Sequence, residues 1–216
     1  MSHALLQNGS ELMTPTALPA GTLILASSSP RRRQLLAEAG LSFDVVAPTI
    51  AEPNDDLRGL SPQQQAEALA YFKARVVSDR RPDACVLGAD TVVALGGEIL
   101  GKPADEADAR RMLNALSGSR HAVITGVAVL CPHNVRLIAS ETTYVTMRRM
   151  TPDEIDDYIR SDEWRGKAGA YAIQETADRY IVKVEGSFSN VVGLPMELVA
   201  RMLAELRRRP EAHRAI

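Results

Sequence analysis

The segment at residues 85–94, CVLGADTVVA, carries polar side chains only at Asp90 and Thr91. A run of this kind is typical of a central strand that is covered on both faces of its sheet. Gly88 within the run allows either a close approach of another backbone or a β-bulge. A carboxylate in such a strand is costly unless it has a charged partner or holds a metal ion. We therefore predict that Asp90 is a functional residue.

A second informative segment is residues 23–36, LILASSSPRRRQLL. Its apolar start predicts a buried strand, and its second half predicts a helix with Ser29 as N-cap and Pro30 at the first helical position. A helix N-terminus has unpaired N–H groups and a partial positive charge, and hydroxyl and guanidinium groups add donors that suit phosphate oxygens. The segment predicts either a phosphate-binding loop or a capped surface helix with solvated arginines.

Ser61 and Pro62 predict a second helix, whose apolar residues recur at helical spacing. Lys73 lies on this apolar stripe, three residues after Ala70. An ammonium group rarely faces a core without a partner. We therefore expect Lys73 either to extend to the surface or to point into a cleft and meet an anion.

The remaining patterns predict further strands and helices. The predicted strands are residues 43–47, 98–100, 121–130 and 137–146, and the predicted helices are residues 105–116, one that begins at Thr151 and a last one that Pro210 ends. Residues 180–184 and 188–192 are predicted to form a hairpin around Glu185 and Gly186. The small residues at 166–174, GKAGAYAIQ, are typical of a loop that lets a ligand approach the backbone.

Composition limits the classes of function. Hydrophobic residues make up 45% of the 216 residues, enough for a sizeable core, and 25 basic residues nearly balance 27 acidic ones. This balance does not favour a nucleic-acid partner. No apolar run approaches the ~20 residues of a membrane span, and the N-terminus lacks the pattern of a secretory signal. We expect a cytoplasmic protein with neither a nucleic-acid nor a membrane partner.

Domain boundaries and cysteine usage give two further expectations. We predict a flexible extension at residues 1–20, one domain at 21–209 and a tail at 210–216. Cys85 and Cys131 are not in a C-x-x-C pair, which indicates neither a disulfide framework nor a zinc knuckle. Their spacing leaves a bond between the two cysteines open.

The polar residues that stand out share one chemistry. Those that could neutralise phosphates are Ser27, Ser29, Arg31, Lys73 and Lys102. Glu52 and Asp90 could hold a divalent cation, which prefers oxygen ligands. The sequence contains neither a Walker A motif nor a supported Ser-His-Asp or Cys-His set. Together these residues suggest metal-assisted attack of water on a phosphoanhydride.

Several motifs in order resemble one family. Residues 26–32, ASSSPRR, resemble the S-x-S-P-R-R signature of the Maf family of nucleoside triphosphate pyrophosphatases. The further matching motifs are GADTVV at 88–93, GKP at 101–103, KAGAYAIQ at 167–174 and VGLP at 192–195. The resemblance extends over residues 23–206, and the series of motifs is far more specific than any one of them.

The resemblance implies a fold and a reaction. The fold is a single two-lobed α/β domain, Maf/ITPase-like, with an extended mixed β-sheet flanked by helices and a cleft between the lobes. The implied reaction is hydrolysis of a nucleoside triphosphate to the monophosphate and pyrophosphate with Mg²⁺ or Mn²⁺, carried out by a homodimer. Asp90 matches the family's proton acceptor for the water. The other matching polar cleft positions are Ser27, Arg31, Glu52, Lys73 and Lys102.

The resemblance also bears on the substrate. Arg31, Thr91 and Gln174 match positions that distinguish subgroups, and this set is similar to the dTTP/UTP subgroup. Because a glutamine amide both donates and accepts, it suits the O4 and N3–H edge of a pyrimidine. Since Thr91 directly follows Asp90, catalysis and base recognition are expected within one residue of each other.

Two alternatives remain, a 7-methyl-GTP pyrophosphatase and a nucleotide-binding regulator of septum formation that does not turn over its ligand. The Arg31, Thr91 and Gln174 set argues against the first, and an intact Asp90 argues against the second. Two departures from the family pattern are Ala51, where many relatives have a second acidic residue beside Glu52, and Glu175, where glycine is common. These departures leave the metal ligands and the shape of the base loop open.

Overall fold

The computed structural model describes residues 22–49, 57, 59–174 and 176–208. The strands are β1 (Leu23–Ala26), β2 (Asp44–Val45), β3 (Cys85–Leu95), β4 (Glu98–Leu100), β5 (Arg120–Cys131), β6 (Val135–Met147) and β7 (Ile181–Glu185). The α-helices are α1 (Pro30–Glu38), α2 (Pro62–Ser78), α3 (Glu106–Leu116), α4 (Pro152–Arg160), α5 (Phe188–Val192) and α6 (Met196–Arg207).

The strands form one seven-stranded mixed sheet in the order β2-β1-β3-β5-β6-β7, with β4 paired to the outer half of β3. The strands β2, β1 and β3 run parallel, and the remaining pairs are antiparallel. Helices α1 and α6 pack on one face of the sheet and α2 on the other. This arrangement confirms the predicted α/β class and the mixed sheet flanked by helices.

Local capping signals account for where several helices begin. Ser29 caps α1, and its side chain accepts from the Arg32 N–H. Ser61 and Thr151 form capping boxes at the starts of α2 and α4, each followed by proline at the first helical position. A capping side chain satisfies backbone donors that have no partner within the helix. The predicted helix starts are therefore confirmed.

Two glycines let α2 lie directly against the sheet. A Cβ atom at Gly88 would be 2.4 Å from the Ala70 carbonyl oxygen, and one at Gly126 would be 2.2 Å from the Ala66 carbonyl oxygen. Gly126 is also the register partner of Asp90 across β3 and β5. The helix backbone is thus closer to the strands than any side chain at these two positions would allow.

One predicted strand is shorter in the structure, and another predicted strand is a helix. The strand expected at residues 43–47 is only Asp44–Val45, which pairs with Ile24 and Leu25 of β1. Residues 188–192 form helix α5 and not a hairpin strand. Ser187 caps this helix by accepting from the Asn190 N–H, and β7 pairs with β6 instead.

The structure also bears on the pairing of the two cysteines and on the search for a membrane-spanning helix. Cys85 and Cys131 form a disulfide between the neighbouring strands β3 and β5, so the bond that their spacing left open is present. None of the helices in the described ranges combines the length and apolar character needed to cross a membrane.

We predict that Gly126→Ala destabilises the protein and impairs the cleft. The added methyl group would meet backbone atoms of α2, and overpacking of this kind costs roughly 1–3 kcal/mol. Thermal unfolding should therefore shift down by about 2–12 °C. The control is Gly101→Ala, where a Cβ has nothing within 4 Å. Equal melting temperatures for the two variants would contradict the close packing of α2.

Candidate active site

A cavity of about 350 Å³ opens where β1 ends beside β3. The last residue pair between these strands is Ala26 with Gly88, and β4 joins β3 only from Val93 onward. Asp90 and Thr91 lie in the interval and line the cavity. The cleft thus forms along β3, in the gap between the end of β1 and the start of its pairing with β4. The β1–α1 loop lies at the mouth of the cleft.

The structure brings the predicted site residues together. Those that line the cavity are Ser27, Ser29, Arg31, Lys73, Asp90, Thr91, Lys102 and Gln174. They come from the β1–α1 loop, the first turn of α1, α2, β3, the loop after β4 and the loop at residues 166–174. Glu52 lies outside the described residues, as do Ala51 and Glu175.

Lys73 and Asp90 form an ion pair inside the cleft. Their side chains are only 12% and 10% exposed. The pair exists because α2 lies directly on β3 and β5 at the two glycines, which places the apolar stripe of the helix over the sheet. Of the two alternatives for Lys73, the structure therefore supports the one in which it meets an anion in a cleft.

The β1–α1 loop is held by its own serines. Ser27, 4% exposed, accepts from the Ser29 N–H at 3.1 Å and from Arg32 Nη1 at 3.3 Å. Ser29 in turn accepts from the Arg32 N–H at the start of α1. These bonds fix a helix N-terminus, with Arg31 beside it, at the mouth of the cavity. Such a terminus suits an anionic group.

Arg32 is a site residue that sequence reasoning missed. Its Nε donates to the Gly193 carbonyl at 2.8 Å, and its Nη2 donates to Thr91 Oγ1 at 3.1 Å. The guanidinium thus connects the β1–α1 loop with β3 and the loop after α5. The S-x-S-P-R-R motif contains Arg32. Its partner Gly193 is 161 positions away in the chain, so the motif by itself did not indicate this contact.

Asp90 and Thr91 point to opposite faces of β3. Side chains alternate along a strand. Asp90 faces α2 and Lys73, whereas Thr91 faces Arg32 and lies 2.9 Å from Thr125 Oγ1 on β5. Asp90 and Thr91 are therefore neighbours along the chain, but their side chains lie on opposite faces of the sheet. Both line the cavity because it opens at the edge of β3.

Backbone hydrogen bonds to neighbouring elements hold the loop at residues 166–174. Gly169, at φ +70, packs against Val93 and donates its N–H to the Gly101 carbonyl at 3.0 Å. The Ala172 N–H donates to the Tyr158 hydroxyl at 3.3 Å. These contacts leave Gln174 exposed at the rim of the cavity.

His121 and Tyr171 add a buried polar contact below this loop. His121 Nε2 lies 2.7 Å from the Tyr171 hydroxyl. Burial lowers the pKa of His121 to about 4 and raises the pKa of Tyr171, so the imidazole is neutral at pH 7. Tyr171 lines the cavity, and its partner His121 was not among the predicted site residues.

The acidic residues permit a limited test of the implied metal ion. Asp90 is the one acidic side chain among the described residues that line the cavity. The described part of the chain contains no group of three or more His, Cys, Asp or Glu that could hold a metal ion. Mg²⁺ is commonly bound by one or two carboxylates together with substrate phosphates and water. A single carboxylate in a cavity that several cationic side chains also line fits that pattern.

Comparison with known proteins identifies the family. A family model described as "Maf-like protein" matches residues 22–206. The chain belongs to the Maf family. A Maf relative from Koribacter versatilis (strain Ellin345), named "dTTP/UTP pyrophosphatase", is 47% identical over 84% of this chain and 92% of its own length. Proteins of the same name from Geobacillus sp. (strain WCH70) and Ruminiclostridium cellulolyticum are 47% and 44% identical over 85% of this chain.

Solved structures show a more distant likeness. A nucleoside-triphosphatase / dITP/XTP pyrophosphatase from Mycobacterium abscessus is 16% identical, with a TM-score of 0.44 over 86% of this chain and 97% of its own. A HAM1 protein from Coxiella burnetii is also 16% identical, with a TM-score of 0.47 over 85% of this chain and 98% of its own.

Proposed function

We propose that this Maf protein hydrolyses dTTP and UTP to the nucleoside monophosphate and pyrophosphate. The observation that carries the proposal is the buried Lys73–Asp90 pair in a cleft whose mouth is a serine-rich helix N-terminus with two arginines. The names of relatives at 44–47% identity support the choice of substrates.

Phosphate binding is assigned to the positive side of the cleft. The N-terminus of α1 and the guanidinium groups of Arg31 and Arg32 face the cavity from one side, and Lys102 lies on the loop after β4. Backbone N–H groups at a helix start and guanidinium forks both match phosphate oxygens. These groups would hold the triphosphate with its anhydride bonds near Asp90.

Asp90 is proposed to accept the proton of the attacking water. Its carboxylate lies in the cavity, and general bases of this kind act from within hydrogen-bond reach of the water. Lys73 holds the carboxylate in position and supplies positive charge beside the reacting phosphate. This pairing gives the ammonium on the apolar stripe of α2 a chemical role.

Mg²⁺ or Mn²⁺ would be held by Asp90, by Glu52 and by the substrate phosphates. When bound, a divalent ion polarises phosphoryl oxygens and lowers the pKa of a bound water. The protein's own contribution is to place a carboxylate next to the phosphate-binding groups.

Base recognition is assigned to Gln174 at the rim of the cavity. Its amide can donate to O4 and accept from N3–H of uracil or thymine. Arg31 and Thr91 complete the set that resembles the dTTP/UTP subgroup. Backbone hydrogen bonds at Gly169 and Ala172 hold the loop that carries Gln174.

We also propose a cellular location, an oligomeric state and domain bounds for the enzyme. We infer a cytoplasmic homodimer whose catalytic domain occupies residues 21–209, with an extension before it and a short tail after it. Light scattering of the purified protein would test the dimer directly, since the expected mass is twice that of the 23.4 kDa chain.

Asp90→Asn tests the catalytic assignment. The amide keeps the size of the side chain but cannot accept the proton, so kcat for dTTP should fall by ~10²–10⁴. Asp153→Asn on the exposed start of α4 is the control and should keep wild-type turnover. Near-wild-type kcat in a folded Asp90→Asn variant would show that Asp90 is not the proton acceptor.

Gln174→Glu tests the base assignment across dTTP, UTP, CTP, ATP, GTP and 7-methyl-GTP. In the wild type we expect the highest kcat/KM for dTTP and UTP. In the variant both should fall by about tenfold or more, because a carboxylate repels the pyrimidine O4 and leaves a polar edge unpaired. The control, Gln63→Glu at the exposed start of α2, makes the same charge change away from the cavity. A wild type that prefers 7-methyl-GTP, or a variant with unchanged pyrimidine preference, would contradict the assignment.

A further inference from the structure

A closed ring of hydrogen bonds connects the cavity to a buried turn behind it. Arg32 donates from Nη2 to Thr91 Oγ1 at 3.1 Å and from Nε to the Gly193 carbonyl at 2.8 Å. Thr91 Oγ1 lies 2.9 Å from Thr125 Oγ1, and Thr125 donates to the Asn190 carbonyl at 3.2 Å. The same carbonyl accepts from the Gly193 N–H at 3.0 Å, which closes the ring.

The chemistry of these groups fixes the direction of each bond. A guanidinium only donates, a carbonyl only accepts, and a hydroxyl has one proton to donate. Because Thr125 gives its proton to the Asn190 carbonyl, the proton between the two threonines must come from Thr91. Thr91 therefore donates to Thr125 and accepts from Arg32. Its hydroxyl proton is therefore used within the ring.

From this ordering we propose that Thr125 is a positioning residue for Arg32 and acts through Thr91. The proposal rests on the proposed function, in which the Arg32 guanidinium binds substrate phosphate. Thr125 sets the rotation of the Thr91 hydroxyl, and the oriented Thr91 oxygen holds Nη2 in one place. A planar guanidinium recognises phosphate best when its plane is fixed. Thr91 therefore affects the substrate through the Arg32 guanidinium that it orients.

The alternative is that Thr125 only stabilises the fold, and Thr143 provides the comparison. Both threonines are 0% exposed. Thr143 on β6 accepts from Asn190 Nδ2 at 3.0 Å and donates to the Ser187 carbonyl at 2.9 Å. Neither of these partners lines the cavity. The two residues share burial and chemistry, but Thr125 alone of the pair bonds to a cavity-lining side chain, Thr91.

The kinetic test measures kcat/KM for dTTP in Thr125→Val, Thr125→Ser and Thr143→Val. Thr125→Val keeps the shape but removes the hydroxyl, and kcat/KM should fall by about tenfold or more. Thr125→Ser restores the hydroxyl and should remain within about threefold of the wild type. Thr143→Val should lose similar thermal stability with kcat/KM within about threefold. Equal kinetic losses in the two valine variants, or no recovery with serine, would overturn the proposal.

A spectroscopic measurement separates this proposal from the proposed function. In protein labelled with ¹⁵N-arginine, the Arg32 signals are assigned by their absence from Arg32→Lys. We expect resolved Nη signals, which indicate restricted rotation, in the wild type, Thr125→Ser and Thr143→Val, and averaged signals in Thr125→Val. Unchanged Arg32 signals in Thr125→Val would overturn the positioning role even if dTTP is hydrolysed. The expected signals in a wild type that does not hydrolyse dTTP would support the positioning role and refute the proposed function.

Discussion

The direct contact between α2 and the sheet is the constraint on which the candidate site depends. Gly88 and Gly126 provide no side chain where the helix crosses β3 and β5, and Gly126 lies opposite Asp90 in register. The ammonium of Lys73 therefore reaches the carboxylate inside the cleft. If α2 lay further from the sheet by the thickness of a side chain, the two mostly buried charges would be separated. An uncompensated buried charge costs roughly 3–5 kcal/mol.

The opposite face of β3 holds the second half of the site. Thr91 points away from α2 and meets Arg32 and Thr125. Strand β3 thus has the Lys73–Asp90 ion pair on one face. On its other face, the Thr91 hydroxyl accepts from the Arg32 guanidinium. The cavity reaches both faces because β1 ends at Ala26, and the β1–α1 loop begins at that same end. The end of a short strand therefore determines where the cavity opens.

Local signals in the sequence predicted much of this architecture. The serine and proline caps located helices, and the apolar run around Asp90 located the central strand. Contacts between distant segments could not be predicted in the same way. The β-branched residues near Asn190 suggested a strand, yet bonds from its amide to Val123 and Thr143 hold it in a helical turn. Tertiary contacts of this kind override local propensity, and the roles of the cavity residues remain predictions.

The central claim is that close packing of α2 makes Lys73 and Asp90 one functional unit. A double-mutant cycle tests it most directly, with kcat/KM for dTTP measured in the wild type, Lys73→Met, Asp90→Asn and the double variant. Residues that act as a unit have strongly non-additive effects. The account predicts that the double variant loses about as much activity as the more impaired single variant. Losses that multiply, as they would for two independent residues, would contradict it.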